Sequence, residues 1–475
     1  MNFVGRNYEF NLLRQEHGKK RASLIALYGR RRVGKTRLIE EFHKKATLWK
    51  FEGLEKQAKS KQIRHFLATL SQHSKNPLYE TANCKNWIDV FKLLNAAILE
   101  NNKTNKNIIL FFDELPYMAN KRTEIISDFK WAWDNLWSKK PNINFILCGS
   151  IASFMVDSVI NSSALYGRIT LEICLKPLSL KDCYNFFNRK KSFREIINLY
   201  MAIGGIPAYL LQFDHNTSIA NNLNKLAFCK DGYFVNEFSR IFKDVFYEDK
   251  IYKKIIELFS KHKSLKTPEI LKALSMSDGS GFNRYLDNLE KAGFIDSYVP
   301  FNRPLDSKLK RYRLCDEYTY FYFRFIKPNL KQIQNNTNNN IYSQIILSAS
   351  YKAWSGLAFE RLCIKHVNSI IKKLKIDQLV KNFGPYYNRS TNTRDGVQID
   401  LLLERHDPVI TICEMKFVSH KIGKWIINSI EDKIALLPAS KMSIEKVLIT
   451  TEGITKDLKD TNYFSKVLLE DCFFD

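Results

Sequence analysis

The sequence predicts an α/β protein: a parallel sheet with helices on its faces, then a helix-rich middle, then a second, smaller α/β domain. Three observations carry this. Up to residue 175, short apolar runs alternate with longer amphipathic segments, as strands and crossover helices do. From 246 to 331 the apolar spacing is mainly helical, and after a polar stretch two apolar runs return near the end, with charges at alternate positions. At 475 residues the chain is too long for one core, and at roughly 100 to 200 residues per domain it divides into about three.

The first run, SLIALYG, reads as a buried strand, with a helix expected from Lys35. The second, NIILFFDEL, precedes a helix through FKWAWDNLW, and the third, NINFILCGS, precedes SIASFMVDSVI. Sheets of this type bind ligands at the carboxyl ends of their strands. The turn after the first strand is GRRRVGKT, Gly29 to Thr36, and it fits GxxxxGK[ST] in the strand–loop–helix context that pattern needs. Gly29 and Gly34 let backbone N–H groups turn inward around phosphate oxygens, and the helix from Lys35 aims its positive end at them. Lys35 supplies charge for the β and γ phosphates of ATP, and Thr36 offers a hydroxyl to Mg²⁺. Val33 and Arg37 complete the expected cofactor contact. Arg30, Arg31 and Arg32 either add positive potential or face solvent, and at least two are expected to face solvent.

The second half of such a site is an acid at a strand end, which IILFFDEL supplies. Asp113 is expected to hold Mg²⁺ through water and Glu114 to polarise an attacking water. The alternative is a helix start stabilised by two acids. Ser150 ends the third run, where its hydroxyl either senses the γ phosphate or caps the next helix.

FVGRNYEFNLL, GRRRVGKT, FFDELPYM, LCGS, ALYGRIT and GGIPAYL, in this order and spacing, resemble the archaeal-type P-loop ATPases of the STAND branch of AAA+ relatives, over residues 1–330. The resemblance implies a P-loop NTPase parallel sheet with a helical lid. It places Val4, Gly5, Arg6 and Glu9 against the nucleotide base and Gly204 to Pro207 in the lid. It also makes Arg168 a charge-sensing or finger arginine, with a structural ion pair as the equal alternative.

From Tyr252, three amphipathic stretches (IYKKIIELFSKHKS, TPEILKALSM, GSGFNRYLDNLEKAGFI) and two short β-like runs look like a winged helix-turn-helix. Thr267 before Pro268 and Glu269 is a good helix start. Asn283 and Arg284 are candidates for a DNA major groove. The alternative is a packing and relay module.

QIQNNTNNN, Gln332 to Asn340, offers no apolar side chain after Ile333 and reads as a linker, and a softer seam falls at 244–250. Beyond it, YKAWSGLAFERLCIKHVNSIIKKL is expected to be one helix carrying Glu360. VQIDLLLERHDPVITICEMKF is expected to be two strands joined near His406 to Pro408, with Asp400 in the first and Glu414 and Lys416 on one face of the second. Two carboxylates bind Mg²⁺ or Mn²⁺ and an ammonium positions water or phosphate, which suits phosphodiester cleavage. Asp400, thirteen residues, then ExK resembles the core of PD-(D/E)XK nucleases, over residues 350–475. That resemblance implies a restriction-endonuclease-like domain, with Glu360 as its first-helix acid and a metal ligand beside Asp400 and Glu414. A solvent-facing Glu and Lys on an edge strand, or a nuclease fold that binds without cutting, are the alternatives.

The expected layout is an ATPase core (1–175), helical lid (176–245), winged helix (246–331), linker (332–345) and nuclease-like domain (346–475). Nine cysteines, an odd number without a CxxC pair, argue against a disulfide frame and a zinc ribbon and fit a reducing cytosol. MNFVGRNYEF lacks signal-peptide features, and no apolar run reaches the roughly 18 residues of a membrane span, so a soluble cytoplasmic protein without a membrane partner is expected. Lys and Arg number 74 against 49 acids, and the net charge of +25 attracts polyanions, nucleic acid and DNA first among them. The same lysine excess also follows from an AT-rich genome. An ATP-driven, Mg²⁺-dependent nuclease that forms a homo-oligomer on ATP binding is the leading expectation. The alternative is a nucleotide-dependent DNA-binding or protein-binding regulator or scaffold that cuts nothing.

Overall fold

The computed structural model describes residues 3–19, 21–43, 47–101, 107–120, 123–246, 250–277, 279–301, 310–335, 340–388, 396–437 and 442–474. The chain packs as two compact units, Met1–Pro177 with Ile206–Ala208 and Leu286–Gly293, and Leu178–Gly205 with Tyr209–Tyr285 and Phe294–Asp475.

The first unit is built on five parallel strands: β1 Ser23–Tyr28, β2 Thr47–Glu52, β3 Ile108–Asp113, β4 Ile143–Gly149 and β5 Leu171–Cys174, in the order β2-β3-β4-β1-β5. β3 and β4 are buried at every position, which is why they read as unbroken apolar runs. β2 and β5 are the edges, and their mixed sequences, TLWKFE and LEIC, carry no comparable signal. Because β4 lies between β1 and β3, the three strand ends bearing Gly29, Ser150 and Asp113 are neighbours. The core beneath is aromatic, with Phe51 stacked on Phe66 at 4.0 Å and Trp137 tilted against Phe145 at 4.4 Å between ring centroids. The tryptophans of FKWAWDNLW are therefore packing residues.

The second unit opens with helices Leu180–Phe186 and Phe193–Ile203, each started by a capping box, Ser179 with Asp182 and Ser192 with Glu195. Helices Lys250–Lys261 and Thr267–Leu274 follow along the chain, then Ser280–Lys291, of which Leu286 onward belongs to the first unit, then an antiparallel pair, β6 Ile295–Tyr298 and β7 Arg311–Leu314. A mixed sheet closes the unit: β8 Val380–Asn388, β9 Val397–Arg405, β10 Val409–Lys416, β11 Ser443–Thr450 and β12 Lys466–Leu468, in the order β12-β11-β10-β9-β8. β9 runs antiparallel to both neighbours, and β10, β11 and β12 run parallel.

Two expectations change. The single helix expected around Glu360 is two, Ala349–Lys365 and Val367–Leu374, because the backbone of His366 leaves helical geometry and its imidazole takes up the carbonyl of Leu362. The expected linker begins as the last turn of helix Lys327–Asn335, where Ile333 is buried, while 336–339 lie outside the described residues. Residues on both sides of it belong to one unit. Of the softer seam at 244–250, positions 247–249 also lie outside the described residues. All nine cysteines remain thiols, and among the described residues no helix is long and apolar enough to cross a membrane.

Candidate nucleotide site and carboxylate cluster

The loop after β1 is shaped by its glycines. Gly29 has φ 145°, and a Cβ there would lie 2.3 Å from the carbonyl oxygen of Leu175, so no other residue passes. Gly34 has φ 92° and stands at the start of helix Lys35–Phe42, whose first-turn amides receive no capping side chain. They are left for an anion. Lys35 is buried and donates to the carbonyls of Gly29 at 3.0 Å and Arg30 at 3.2 Å, spanning the loop. Arg6 braces the loop from behind, donating to the carbonyls of Val33 at 2.9 Å and Lys176 at 2.7 Å. Glu9 lies 3.5 Å from it.

Thr36 donates its hydroxyl to Asp113 Oδ2 at 2.8 Å, joining the loop to the end of β3. One residue on, Glu114 adopts φ 51° and its Oε2 accepts from the backbone N–H of Ser150 at 3.1 Å and from its hydroxyl at 2.8 Å. Lys35, Thr36, Asp113, Glu114 and Ser150 thus converge. Ser150 is not a cap, since Ile151 precedes the short helix Ala152–Phe154. The hard-oxygen pair Thr36 and Asp113 suits Mg²⁺, and the uncapped helix start beside a buried lysine suits polyphosphate.

Three sequence expectations need adjusting here. Arg30, Arg31 and Arg32 are all half-buried rather than facing solvent, and Arg30 Nη2 and Arg31 Nη1 are shut off from water. The cause is the loop's close seat, with Gly29 against Leu175 and Val33 fully buried. Arg37 stands on the exposed helix face within 3.7 Å of Glu40 and 3.5 Å of Glu41. Arg168 makes a two-pronged ion pair with Asp134, at 2.7 and 2.8 Å, whose hydrogen bonds hold the Asp134 carboxyl below its ordinary range. One functional neighbour left no motif: Lys50, half-buried on β2, sits 3.3 Å from Asp113 Oδ2.

In the last sheet Cys413 stands opposite Leu401, so Asp400 and Glu414 are the next positions on β9 and β10. Asp400 is 8% exposed and Glu414 1%, in the middle strand of five, which removes the edge-strand alternative. Glu414 lies between two ammonium groups, Lys416 at 2.8 Å and Lys433 at 2.7 Å, the latter from helix Trp425–Ala435. Burial alone would raise its proton affinity, but the two lysines outweigh that and hold the carboxyl below its usual range. Asp400 accepts from the Met415 N–H at 3.3 Å, and burial, with the charges of Glu360 and Glu414, pushes its carboxyl up to about 7.

Glu360, from helix Ala349–Lys365, instead pairs with Lys263 at 2.8 Å. Among the described residues no group of three or more His, Cys, Asp or Glu is arranged to hold a metal ion, so the expected Glu360–Asp400–Glu414 cage is not closed. The oxygen donors of Asp400 and Glu414 are of the type Mg²⁺ and Mn²⁺ take, with ammonium groups now neutralising Glu414. Lys263 falls at the end of the first amphipathic stretch of the winged-helix pattern and Lys433 lies in no motif, and only tertiary packing brings them here. Asn283 and Arg284 are exposed on helix Ser280–Lys291.

Residues 3–213 match a family described as an ATPase domain predominantly from Archaea, and 322–427 match one described as archaeal and bacterial proteins of unknown function. An uncharacterized protein of Methanocaldococcus jannaschii is 28% identical over 420 residues, 87% of each chain. An uncharacterized ATP-binding protein of the same organism is 52% identical over 40 residues, 8% of this chain and 68% of that one. Among solved structures, a Walker-type ATPase of Pyrococcus abyssi superposes with a TM-score of 0.50 at 20% identity, over 68% of this chain and 96% of that one. That likeness is one of fold. Over residues 3–213 the chain is similar to archaeal P-loop ATPase domains, and over 322–427 to a family without an assigned function.

Proposed function

We propose that the protein is an ATP-hydrolysing switch coupled to a Mg²⁺-dependent nuclease-like domain that acts on nucleic acid, DNA before RNA. It is organised as ATPase core (1–175), lid (176–245), winged helix (246–331), linker (332–345) and nuclease-like domain (346–475). In the first domain the amides of Gly29 to Thr36 and the Lys35 ammonium hold the phosphates of ATP. Thr36 and Asp113 hold Mg²⁺, which when bound offsets phosphate charge. Glu114 takes the proton of the attacking water, with Ser150 fixing the orientation of its carboxylate until phosphate arrives.

In the last domain Asp400 and Glu414 hold the divalent cation and Lys416 orients water or the scissile phosphate. The observation that carries the second half is Glu414: a carboxylate 1% exposed, beside Asp400 and clasped by Lys416 and Lys433 in a central strand. Ordinary sheets avoid such burial, because an isolated charge costs several kcal/mol to desolvate. Exposed Asn283 and Arg284 give the winged helix a face for DNA, and assembly into a homo-oligomer in the cytoplasm, in defence against foreign DNA, completes the proposal.

The pairing of Glu360 with Lys263 and of Glu414 with two lysines favours a second possibility, a nucleotide-dependent DNA-binding or protein-binding regulator or scaffold with no cleavage. Purified protein with Mg²⁺ or Mn²⁺, with and without ATP, separates the two. DNA is expected to be cut by the parent and not by Glu414→Ala or Lys416→Ala. Equal cutting by parent and variants, or no cutting at all, contradicts the nuclease assignment.

A further inference from the structure

A cavity of about 220 Å³ adjoins Asp400 within the second unit, walled by Tyr298 and Arg311 of the β6–β7 pair, by Tyr320 and Arg361, and by Tyr386 and Tyr387 of β8. Its other charged lining residues are Lys263, Arg313 and Glu360, so cations outnumber carboxylates. Three of the four cations are engaged. Lys263 pairs with Glu360 at 2.8 Å, Arg311 donates to the Ser264 hydroxyl at 2.8 Å and its carbonyl at 2.9 Å, and Arg313 pairs with Asp296 at 2.8 Å. Arg361 differs. Its guanidinium lies over the Tyr320 ring at 4.0 Å and feels the charges of Glu317 and Glu360, but its Nη2 is buried with no hydrogen-bond partner among the described residues.

A buried guanidinium nitrogen left unbonded is costly unless something anionic reaches it, and Arg favours phosphate oxygens through its planar fork. Tyrosine faces accept bases of any identity by stacking. The volume admits one base with its sugar and phosphate, and excludes the stacked pairs of a duplex. We propose that this cavity binds a single unstacked nucleotide, its phosphate on Arg361 and its base among the tyrosines, presented by one nucleic-acid strand or as a free mononucleotide. It rests on the nucleic-acid reading of this domain only in choosing a nucleotide over other phosphate esters.

The test uses the full chain in a Lys35→Ala background, so that the loop at Gly29 to Thr36 does not bind the probes, and in chelator, so that nothing is cut. The probe is a fluorescent, 5′-phosphorylated single strand of about a dozen nucleotides, a span within known single-strand site sizes. Anisotropy is expected to show binding that Arg361→Gln weakens about tenfold or more, with the salt slope reduced by about 0.7, one phosphate contact. Displacement by a deoxynucleoside monophosphate identifies a free nucleotide as the ligand, and failure to displace identifies a strand; both support the site. Should Arg361→Gln melt well below the parent, Arg361→Lys and Tyr387→Ala replace it, each expected to weaken binding several-fold.

No binding by the parent overturns the proposal. So does unchanged affinity and salt slope in the variants, or equal, Arg361-dependent binding of a blunt duplex. Binding and cleavage fail separately: Arg361-dependent binding without cutting in Mg²⁺ or Mn²⁺ keeps this site and removes the nuclease, whereas cutting with Arg361-independent binding does the reverse.

Discussion

Asp113 shares Oδ2 between the hydroxyl of Thr36 and the ammonium of Lys50. A cation at this carboxylate must displace Lys50, a half-buried partner worth about 1 kcal/mol. Lys50→Met is therefore expected to lower the Mg²⁺ concentration for half-maximal ATP hydrolysis roughly fivefold. A titration showing no change, or a rise, would mean that Lys50 helps the site rather than competing for it. The grouping of Gly29, Lys35, Thr36, Asp113 and Glu114 was legible in the sequence, the first three from the fixed spacing of the loop and the two acids from their place at the end of an apolar strand. Lys50 was not, since its role comes from β2 lying beside β3. Arg30 to Arg32 misled for the opposite reason: arginine usually seeks water, and nothing local shows how closely the loop is seated.

Helices Ala349–Lys365 and Val367–Leu374 meet at His366, whose ring shows how an element break is fixed. Nδ1 is 2.9 Å from the Leu362 carbonyl and therefore carries the proton, which leaves Nε2 to accept the Leu180 N–H at 3.4 Å. A neutral ring satisfies both contacts. Burial lowers the imidazole pKa to about 4, the Leu362 carbonyl opposes this, and the charge of Lys365 adds to it.

The folded value lies below the unfolded one, so between these values the unfolded chain binds a proton that the folded chain refuses. Stability from this group is full above the ordinary histidine value near 6.5 and is lost as pH falls toward 4. The loss amounts to about 3 kcal/mol at most. Denaturant melts of parent and His366→Gln across this window are expected to diverge in slope, the parent falling more steeply. Parallel curves would remove His366 as the titrating group. Strand existence followed a similar rule: buried β1, β3, β4, β9 and β10 were readable from composition, whereas β2, β5, β8, β11 and β12 were not, being edge or mixed in sequence.

At the scale of the whole molecule, two phosphate-handling chemistries are proposed, one in each unit of a strongly basic chain. A net charge of +25 raises the local concentration of nucleic acid but selects no particular substrate. If the charge alone drew DNA in, raising salt would abolish binding for every variant alike, and Glu414→Ala would bind as the parent does. The carboxylate pair was legible as Asp400 and Glu414 with Lys416, through alternation along two strands. Lys263 and Lys433, which neutralise the site's acids, arrive from remote segments, and no local pattern joined them to it.

The measurement that bears most directly on the whole is steady-state ATP hydrolysis in Mg²⁺ by the parent, Lys35→Ala and Glu114→Gln, with nucleotide binding followed in parallel. Lys35→Ala is expected to lose binding and turnover together, and Glu114→Gln to keep binding while turnover falls about 10²- to 10⁴-fold. Turnover by Lys35→Ala at the parent's rate would contradict the nucleotide site and, with it, the switch built upon it.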